Sequence, residues 1–311
     1  MSAPSKPIVL FVVGPTASGK TAAALAIVDA LRGRGRPAEI VNADSRQVYR
    51  SMSIGTAKPS LDELARAPHH LVDVVDPSDG FSLAEFLRLA RAAIAEIFAR
   101  GATPIVVGGT GQYAWGLAEG WQAPEVAPNP EIRARLEAEA TALGVDVLFQ
   151  RLQAADPEAA TLMNPRNVRR LVRALEVIEI TGRPFSEQRT KEEPPFEPRM
   201  LALNLSRAAL YERIDARVDS ILAGGWGHEV ESLLAAGNTS DLPAFSSAGY
   251  REVAQLLAGV LSMEQVAEKA KTATHRLARS QANWFRAGDE RISWHLTSED
   301  LVQEAVQACC S

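Results

Sequence analysis

The sequence predicts an α/β fold, a doubly wound parallel sheet interrupted by a helical insertion, and three observations predict it. Apolar runs suited to buried strands, IVLFVV, AEIVNAD and TPIVVGG, alternate with segments of helical periodicity. The first run passes directly into GPTASGKT, Gly14 to Thr21, a loop of small residues that opens the helical stretch TAAALAIVDALRG. After Gly120 the strand signal gives way to the proline-punctuated connection QAPEVAPNP and then to helical segments. Strands that alternate with helices are joined by right-handed crossovers, which makes the sheet parallel and covers both its faces.

The elements follow in order. IVLFVV gives a first strand and AEIVNAD, at 38–44, a second; SLAEFLRLARAAIAEIFARG, at 82–101, carries the apolar spacing of a helix between that strand and TPIVVGG. EIRARLEAEATALG and RNVRRLVRALEVIEITG predict helices within an insertion spanning 121–198, and TGRPFSEQRTKEEPPFEPR predicts a polar loop at its end. MLALNLS, at 200–206, returns the chain to the sheet, after which helices dominate. The expected organisation is therefore a core of residues 1–120 and 199–311 around an insertion of 121–198.

Composition bounds the function. With 311 residues and 46% of them hydrophobic, the chain can bury a substantial core. No run approaches the roughly 18 apolar residues of a membrane helix, and no charged segment followed by an apolar stretch opens the chain, so a soluble, cytoplasmic protein free of the membrane is expected. A monomer is expected as well. The only cysteines, Cys309 and Cys310, are adjacent, which excludes a spaced metal site or a disulfide framework. A net charge of −5 argues against a uniformly basic nucleic-acid binder, so any nucleic-acid surface has to be local.

Gly14, Gly19, Lys20 and Thr21 satisfy G-x-x-x-x-G-K-[ST] in its required setting between strand and helix, which makes the core P-loop NTPase-like. Gly14, Pro15, Thr16, Ala17, Ser18, Gly19, Lys20 and Thr21 are the expected diphosphate-binding residues. Their backbone N–H groups turn inward, the helix N-terminus adds its positive end, Lys20 adds charge, and the Thr21 hydroxyl is the expected ligand of a Mg2+ ion. A nucleotide-binding, ATP-using enzyme is the default owner of such a loop. Asp44 follows the second strand at the sheet edge where doubly wound folds bind ligands, and it suits three roles there: magnesium ligand, general base, or helix cap for SRQVY. Thr110, in VVGGTGQY, ends the third strand at the same edge.

Taken together, GPTASGKT, DSRQVYRSMSIGTAKP, VGGTGQY, RNVRRLVRALEVIEITGRP, LYERIDARVDSIL, SAGYRE and ATHRLARSQANWFR resemble the tRNA dimethylallyltransferases, or tRNA isopentenyltransferases, of bacterial type. The resemblance spans nearly the whole chain. It implies transfer of a dimethylallyl group from dimethylallyl diphosphate to the exocyclic amine of the adenosine on the 3′ side of a tRNA anticodon. The loop would then grip the diphosphate of a prenyl donor. Arg217 would reach the same diphosphate, with Arg213 one turn away as a second candidate, and Thr16 would lie near the reacting groups. Asp44, the candidate general base, would accept the amine proton. The resemblance further implies that Asp44, Ser45, Arg46 and Gln47 contact a flipped adenine and its neighbours, that Thr110 and Arg133 lie along the tRNA path, and that Arg169, Arg170, Leu171, Val172 and Arg173 touch the anticodon arm. The chain departs from the family pattern at Gln112 and in the AWGL stretch that contains Trp115, which leaves the channel lining near both residues open.

Two acid-free basic segments fit a tRNA partner. MNPRNVRRLVR carries Arg166, Arg169, Arg170 and Arg173, and KAKTATHRLARSQANWFR carries Lys269, Lys271, Arg276, Arg279 and Arg286. Continued as one helix, the second would place Arg276, Arg279 and Arg286 within about 80° of one another. A small-molecule kinase is the main rival reading, followed by a prenyltransferase acting on free AMP or ADP and by a non-catalytic RNA-binding protein. Only the first reading uses the phosphate loop, the DSRQ segment, the insertion and the basic segments together.

Overall fold

A computed structural model describes residues 6–124, 126–188 and 190–310; Glu125 of the proline-punctuated connection, Arg189 of the polar loop and the terminal residues 1–5 and 311 lie outside the described residues. Six strands are present among them: β1 Ile8–Val13, β2 Ala38–Asn42, β3 His69–His70, β4 Thr103–Gly108, β5 Glu197–Leu203 and β6 Ile292–His295. They form one sheet in the order β3-β2-β4-β1-β5-β6, and every pairing is parallel. β1 lies between β4 and β5, with Leu10 opposite Ile105 on one side and Arg199 on the other. Its residues Val9 to Val13 are buried, as expected for a parallel strand covered on both faces.

Helices Lys20–Arg32 and Ser298–Cys310 cover one face, where Leu25, Ile27 and Leu31 meet Leu10, Val12, Ile105, Leu301 and Val306. Helix Leu83–Ala99, capped by Ser82 and buried through Phe86, Ala90, Ile94 and Ile97, packs beside helix Gly111–Ala118 through parallel stacking of Phe86 on Tyr113, with ring centroids 3.8 Å apart. A second cluster gathers helices Arg207–Ala223, Trp226–Ala235, Tyr250–Leu257 and Met263–Trp284 around Ile214, Trp226, Val230, Tyr250 and Val266, together with Val48 and Met52 from the segment after β2. The fold is thus the expected P-loop NTPase-like, doubly wound α/β core.

Two strands escaped the sequence reading because they are too short to show a period. β3 has two residues, His69 and His70, and His70 Nε2 lies 2.7 Å from the Glu39 carboxylate that also accepts from Arg100. β6 is the four-residue ISWH, in a region where helices were expected without interruption. β5 begins at Glu197 rather than at Met200, since Glu197 and Pro198 already pair with Ile8 and Val9 and the buried Phe196 lies against Phe11.

The chain divides into two compact units, residues 1–118 with 194–311, and residues 119–193. The expected insertion boundary at 198 therefore falls inside β5. The second unit packs helices Pro130–Leu143, Val145–Ala155, Pro157–Leu162 and Val168–Thr181 on a core of Leu136, Leu148, Leu152, Met163, Leu171 and Leu175. A β-bridge between Trp121 and Lys191 closes its two chain ends on each other.

Candidate active site

The phosphate loop takes the form its residues require. Ala17 at φ 62° and Gly19 at φ 96° adopt left-handed backbone, and alternation of hand along such a loop turns successive N–H groups toward one point. Gly19 is also the N-cap of helix Lys20–Arg32, and no side chain caps it, so the first-turn amides are left to an outside acceptor. The first turn holds no acidic residue to compete with an anion. Ser18, 1% exposed, has a hydroxyl without a hydrogen-bond partner among the described residues. A buried hydroxyl of this kind in an anion loop can donate to a phosphate oxygen.

Three strand ends meet at this loop. Past β4, the Thr110 amide donates to the Ala43 carbonyl at 3.3 Å, and the Thr110 hydroxyl accepts from the Ser45 amide at 3.0 Å. Asp44 is held by Asn42, whose Oδ1 accepts the Asp44 amide at 3.1 Å, and its own carboxylate Oδ1 accepts from the Arg46 amide at 2.8 Å. No helix starts at Ser45: residues 45–48 form turns and Tyr49 bridges to Val75, so the helix-cap role for Asp44 is excluded. Asp44 instead closes a tight side-chain turn and keeps its other carboxylate oxygen for the cleft.

Charge converges on Asp44. Burial pushes the Lys20 ammonium down to about 8, opposed by the nearby Asp44 carboxylate and reinforced by Arg217, while Lys20 Nζ donates to the Pro15 carbonyl at 2.7 Å. Burial likewise lowers the Arg217 guanidinium, with Asp44 and Glu63 acting in the opposite direction. Arg217 projects from helix Arg207–Ala223, and Arg213, one turn earlier, lines the outer mouth with Lys20, Thr21 and Lys58. One cleft is lined by Lys20, Thr21, Asp44, Gln47 and Arg217. A second is lined by the polar residues Asp44, Ser45, Arg46 and Thr110 and by the apolar residues Ile214, Val218, Ile221, Trp226 and Leu277. Thr16, Asp44, Thr56 and Arg217 line both. The two clefts therefore meet where an anion grip and a carboxylate face each other.

Other expected site residues have different surroundings. The Gln47 amide donates to the Thr56 and Ala57 carbonyls, and an Arg46 guanidinium nitrogen donates to the Pro243 carbonyl. Gln112 is exposed, and Trp115 is buried with its indole N–H on the Trp284 carbonyl, so neither lines the two clefts. Within the insertion, Arg133 and Arg173 both bind Glu176, which is fully buried and also accepts from the Asn129 amide. Burial opposes ionisation of Glu176, but these hydrogen bonds outweigh it and hold the carboxyl below its usual range. Leu171 and Val172 belong to the insertion core, so their side chains cannot touch a partner as expected; Arg169 and Arg170, on the same helix, are exposed.

The C-terminal basic helix is also corrected. It ends at Trp284 with Phe285 as its cap, so Arg286 lies beyond it and the helical wheel does not apply to that residue. Lys271 pairs with Asp219 and His275 lies 2.9 Å from Asp215, acids supplied by a neighbouring helix that the acid-free segment could not reveal. The same helix carries a site residue that sequence reasoning missed. Gln281 Oε1, buried, accepts the Thr16 amide at 2.8 Å and so fastens the phosphate loop. A lone glutamine on a basic helix gives no signal of this in the sequence.

Comparison with known proteins gives the family. A family model described as IPP transferase matches residues 47–288; since that match begins at Gln47, the phosphate loop and Asp44 stand on the structure described above. A tRNA dimethylallyltransferase of Roseiflexus sp. (strain RS-1) is 48% identical over 294 residues, covering 94% of this chain and 95% of the relative. One from Chloroflexus aurantiacus is 50% identical over 275 residues, 88% and 91% of the two chains. The crystal structure of the tRNA isopentenylpyrophosphate transferase of Bacillus halodurans superposes with a TM-score of 0.70 at 33% identity, covering 98% of this chain and 96% of the other. A eukaryotic dimethylallyltransferase acting on tRNA superposes with a TM-score of 0.74 at 26% identity over 93% of this chain and 73% of its own. By sequence match and by superposition alike, this chain belongs to the IPP transferase family.

Proposed function

We propose that the protein transfers a dimethylallyl group from dimethylallyl diphosphate to the exocyclic amine of the adenosine 3′-adjacent to the anticodon in tRNA, releasing diphosphate. The observation that carries this reading is the sharing of Asp44 and Arg217 by two clefts, one holding the phosphate grip and the other bounded by Ile214, Val218, Ile221 and Trp226. An apolar wall beside the carboxylate suits the hydrocarbon part of a prenyl donor. In the transfer, the carbon–oxygen bond to the diphosphate breaks, the amine nitrogen bonds to the allylic carbon, and the amine proton passes to the Asp44 carboxylate. Loop amides, Lys20 and Arg217 receive the charge that develops on the departing diphosphate.

A magnesium ion fits the donors present. The Thr21 hydroxyl, a hard oxygen ligand, lines the same cleft as Lys20 and Arg217. Among the described residues no group of three His, Cys, Asp or Glu could hold a metal ion. When bound, it supplies further positive charge to the diphosphate. An adenine stacked in an anticodon loop has to leave the stack to reach Asp44, and the Ser45 and Arg46 segment lines the cleft it would enter. The exposed Arg169 and Arg170 of the insertion are suited to salt-sensitive contacts with phosphates. Among the described residues no helix is long and apolar enough to cross a membrane.

One assay tests the reading: labelled dimethylallyl diphosphate is offered with unmodified tRNA, with AMP and with no acceptor, beside a parallel reaction with labelled ATP. Label is expected in the tRNA; phosphate transfer from ATP without any prenyl transfer would refute it. A second expectation concerns pH. Only protonated Lys20 attracts the diphosphate, and in the free protein it gives up its proton near pH 8. Affinity for dimethylallyl diphosphate, measured without tRNA, should therefore decline as pH rises through about 8, at most about tenfold per unit. Lys20→Met should bind more weakly and show no such decline. Identical slopes in the two proteins would show that Lys20 does not titrate in this range, and equal affinities would remove it from the grip.

A further inference from the structure

The segment that follows DSRQVYRS forms a wall shared by both clefts: Gly55 lines one, Ala57 the other, and Thr56 both. This wall is gripped from behind by a carboxylate outside the lining. Glu229, on helix Trp226–Ala235, accepts the Ser53 and Ile54 amides at 2.6 Å each, the Gly55 amide at 3.1 Å and the Tyr250 hydroxyl at 2.7 Å. Four uncharged donors thus converge on one side chain, an arrangement that fixes three consecutive peptide units. Burial and the charge of Glu229 push the Tyr250 hydroxyl upward, so it stays a donor.

The grip presses the wall onto a rigid shelf. Tyr250 meets Trp226 edge to face, with ring centroids 5.4 Å apart, and Gly55 lies directly against both. A Cβ at position 55 would stand 2.1 Å from Trp226 Nε1 and 2.6 Å from Tyr250 Cε2, so only glycine permits this approach. On the far side of the wall, Gln47 binds the Thr56 and Ala57 carbonyls. Gln47 thus holds Thr56, which shares both clefts with Asp44, while Glu229 holds the three residues before it.

We infer that Glu229 and Tyr250 are positioning residues for prenyl transfer, fixing the Gly55–Thr56 wall so that donor and acceptor meet at Asp44. The inference rests on the proposed prenyl chemistry. A misplacement of about 1 Å in such a wall costs on the order of a hundredfold in rate, because the reacting atoms leave their near-attack geometry. Glu229 touches no reacting atom, so its effect should appear in kcat and spare ground-state binding.

Three variants of the full chain test this: Glu229→Gln, which presents an amide to the backbone donors; Tyr250→Phe, which deletes one donor and keeps the ring; and Gly55→Ala, whose added methyl pushes the wall off the Trp226–Tyr250 shelf. Melting temperature, tRNA affinity, both KM values and single-turnover rate are measured for each beside the wild type. At a temperature where each variant is folded, kcat is expected to fall roughly 10- to 100-fold in Glu229→Gln and Gly55→Ala and less in Tyr250→Phe, with both KM values and tRNA affinity within about threefold of wild type. Losses that only track the fraction of folded protein, or KM values that rise while kcat holds, would overturn the positioning role. A wild type that transfers prenyl groups while the folded variants match it would sink this inference alone; a wild type inert toward the prenyl donor would take the proposed function down with it.

Discussion

Asp44→Ala is expected to lower turnover by about 10²- to 10⁴-fold, the usual contribution of a positioned general base, while tRNA affinity changes little. An exocyclic adenine amine is a weak nucleophile because its lone pair is delocalised into the ring. It becomes acidic only as the bond to carbon forms, so a carboxylate placed to take that proton acts mainly in the transition state. Asp44 also has a local task, since its Oδ1 holds the Arg46 amide. Asp44→Asn separates the two: it keeps an acceptor oxygen for Arg46 but cannot take a proton at neutral pH. Both variants are expected to fall together in single-turnover rate. If Asp44→Asn kept near-wild-type turnover, the residue would be a turn former and the base would lie elsewhere.

Arg217→Ala comes second, with an expected loss of about 10²- to 10³-fold in kcat, comparable to removing one preorganised donor from a site where negative charge develops. The guanidinium is largely buried and shares both clefts with Asp44. Burial favours loss of its proton, yet an arginine stays charged at neutral pH, so it delivers a fixed positive charge with no reorganisation at the moment the diphosphate leaves. Arg217→Lys should recover only part of the rate, since an ammonium lacks the planar fork that engages two phosphate oxygens. Arg213, which lines only the outer mouth, should cost less when replaced. A loss confined to donor KM would reassign Arg217 to simple binding.

Much of this site was legible in the chain because its parts are local. The phosphate loop needs small residues at set spacing between one strand and one helix, and the eight consecutive residues Gly14 to Thr21 state that requirement completely. Asp44 and Thr110 could be placed at the same sheet edge from strand endings alone, and in the structure the Thr110 hydroxyl binds the residue after Asp44. Strands β3 and β6 were illegible for the opposite reason, since two and four residues carry no period and exist only through pairing with β2 and β5. The wheel that grouped Arg286 with Arg276 and Arg279 failed because a helix continued on paper past Trp284 ends there in the fold.

The sequence by itself determined the α/β core, the anion loop and the family resemblance, since each is encoded by residues near one another along the chain. Only the tertiary structure decided which polar side chains are free to act. Arg133 and Arg173 are committed to the buried Glu176, Gln47 braces the 56–57 backbone, Gln281 reaches back across 265 residues to Thr16, and Glu229 grips a loop 174 to 176 residues away. The physical reason is that a buried polar group has to find a partner, and the partner that satisfies it is set by proximity in space, which no local pattern of residues records.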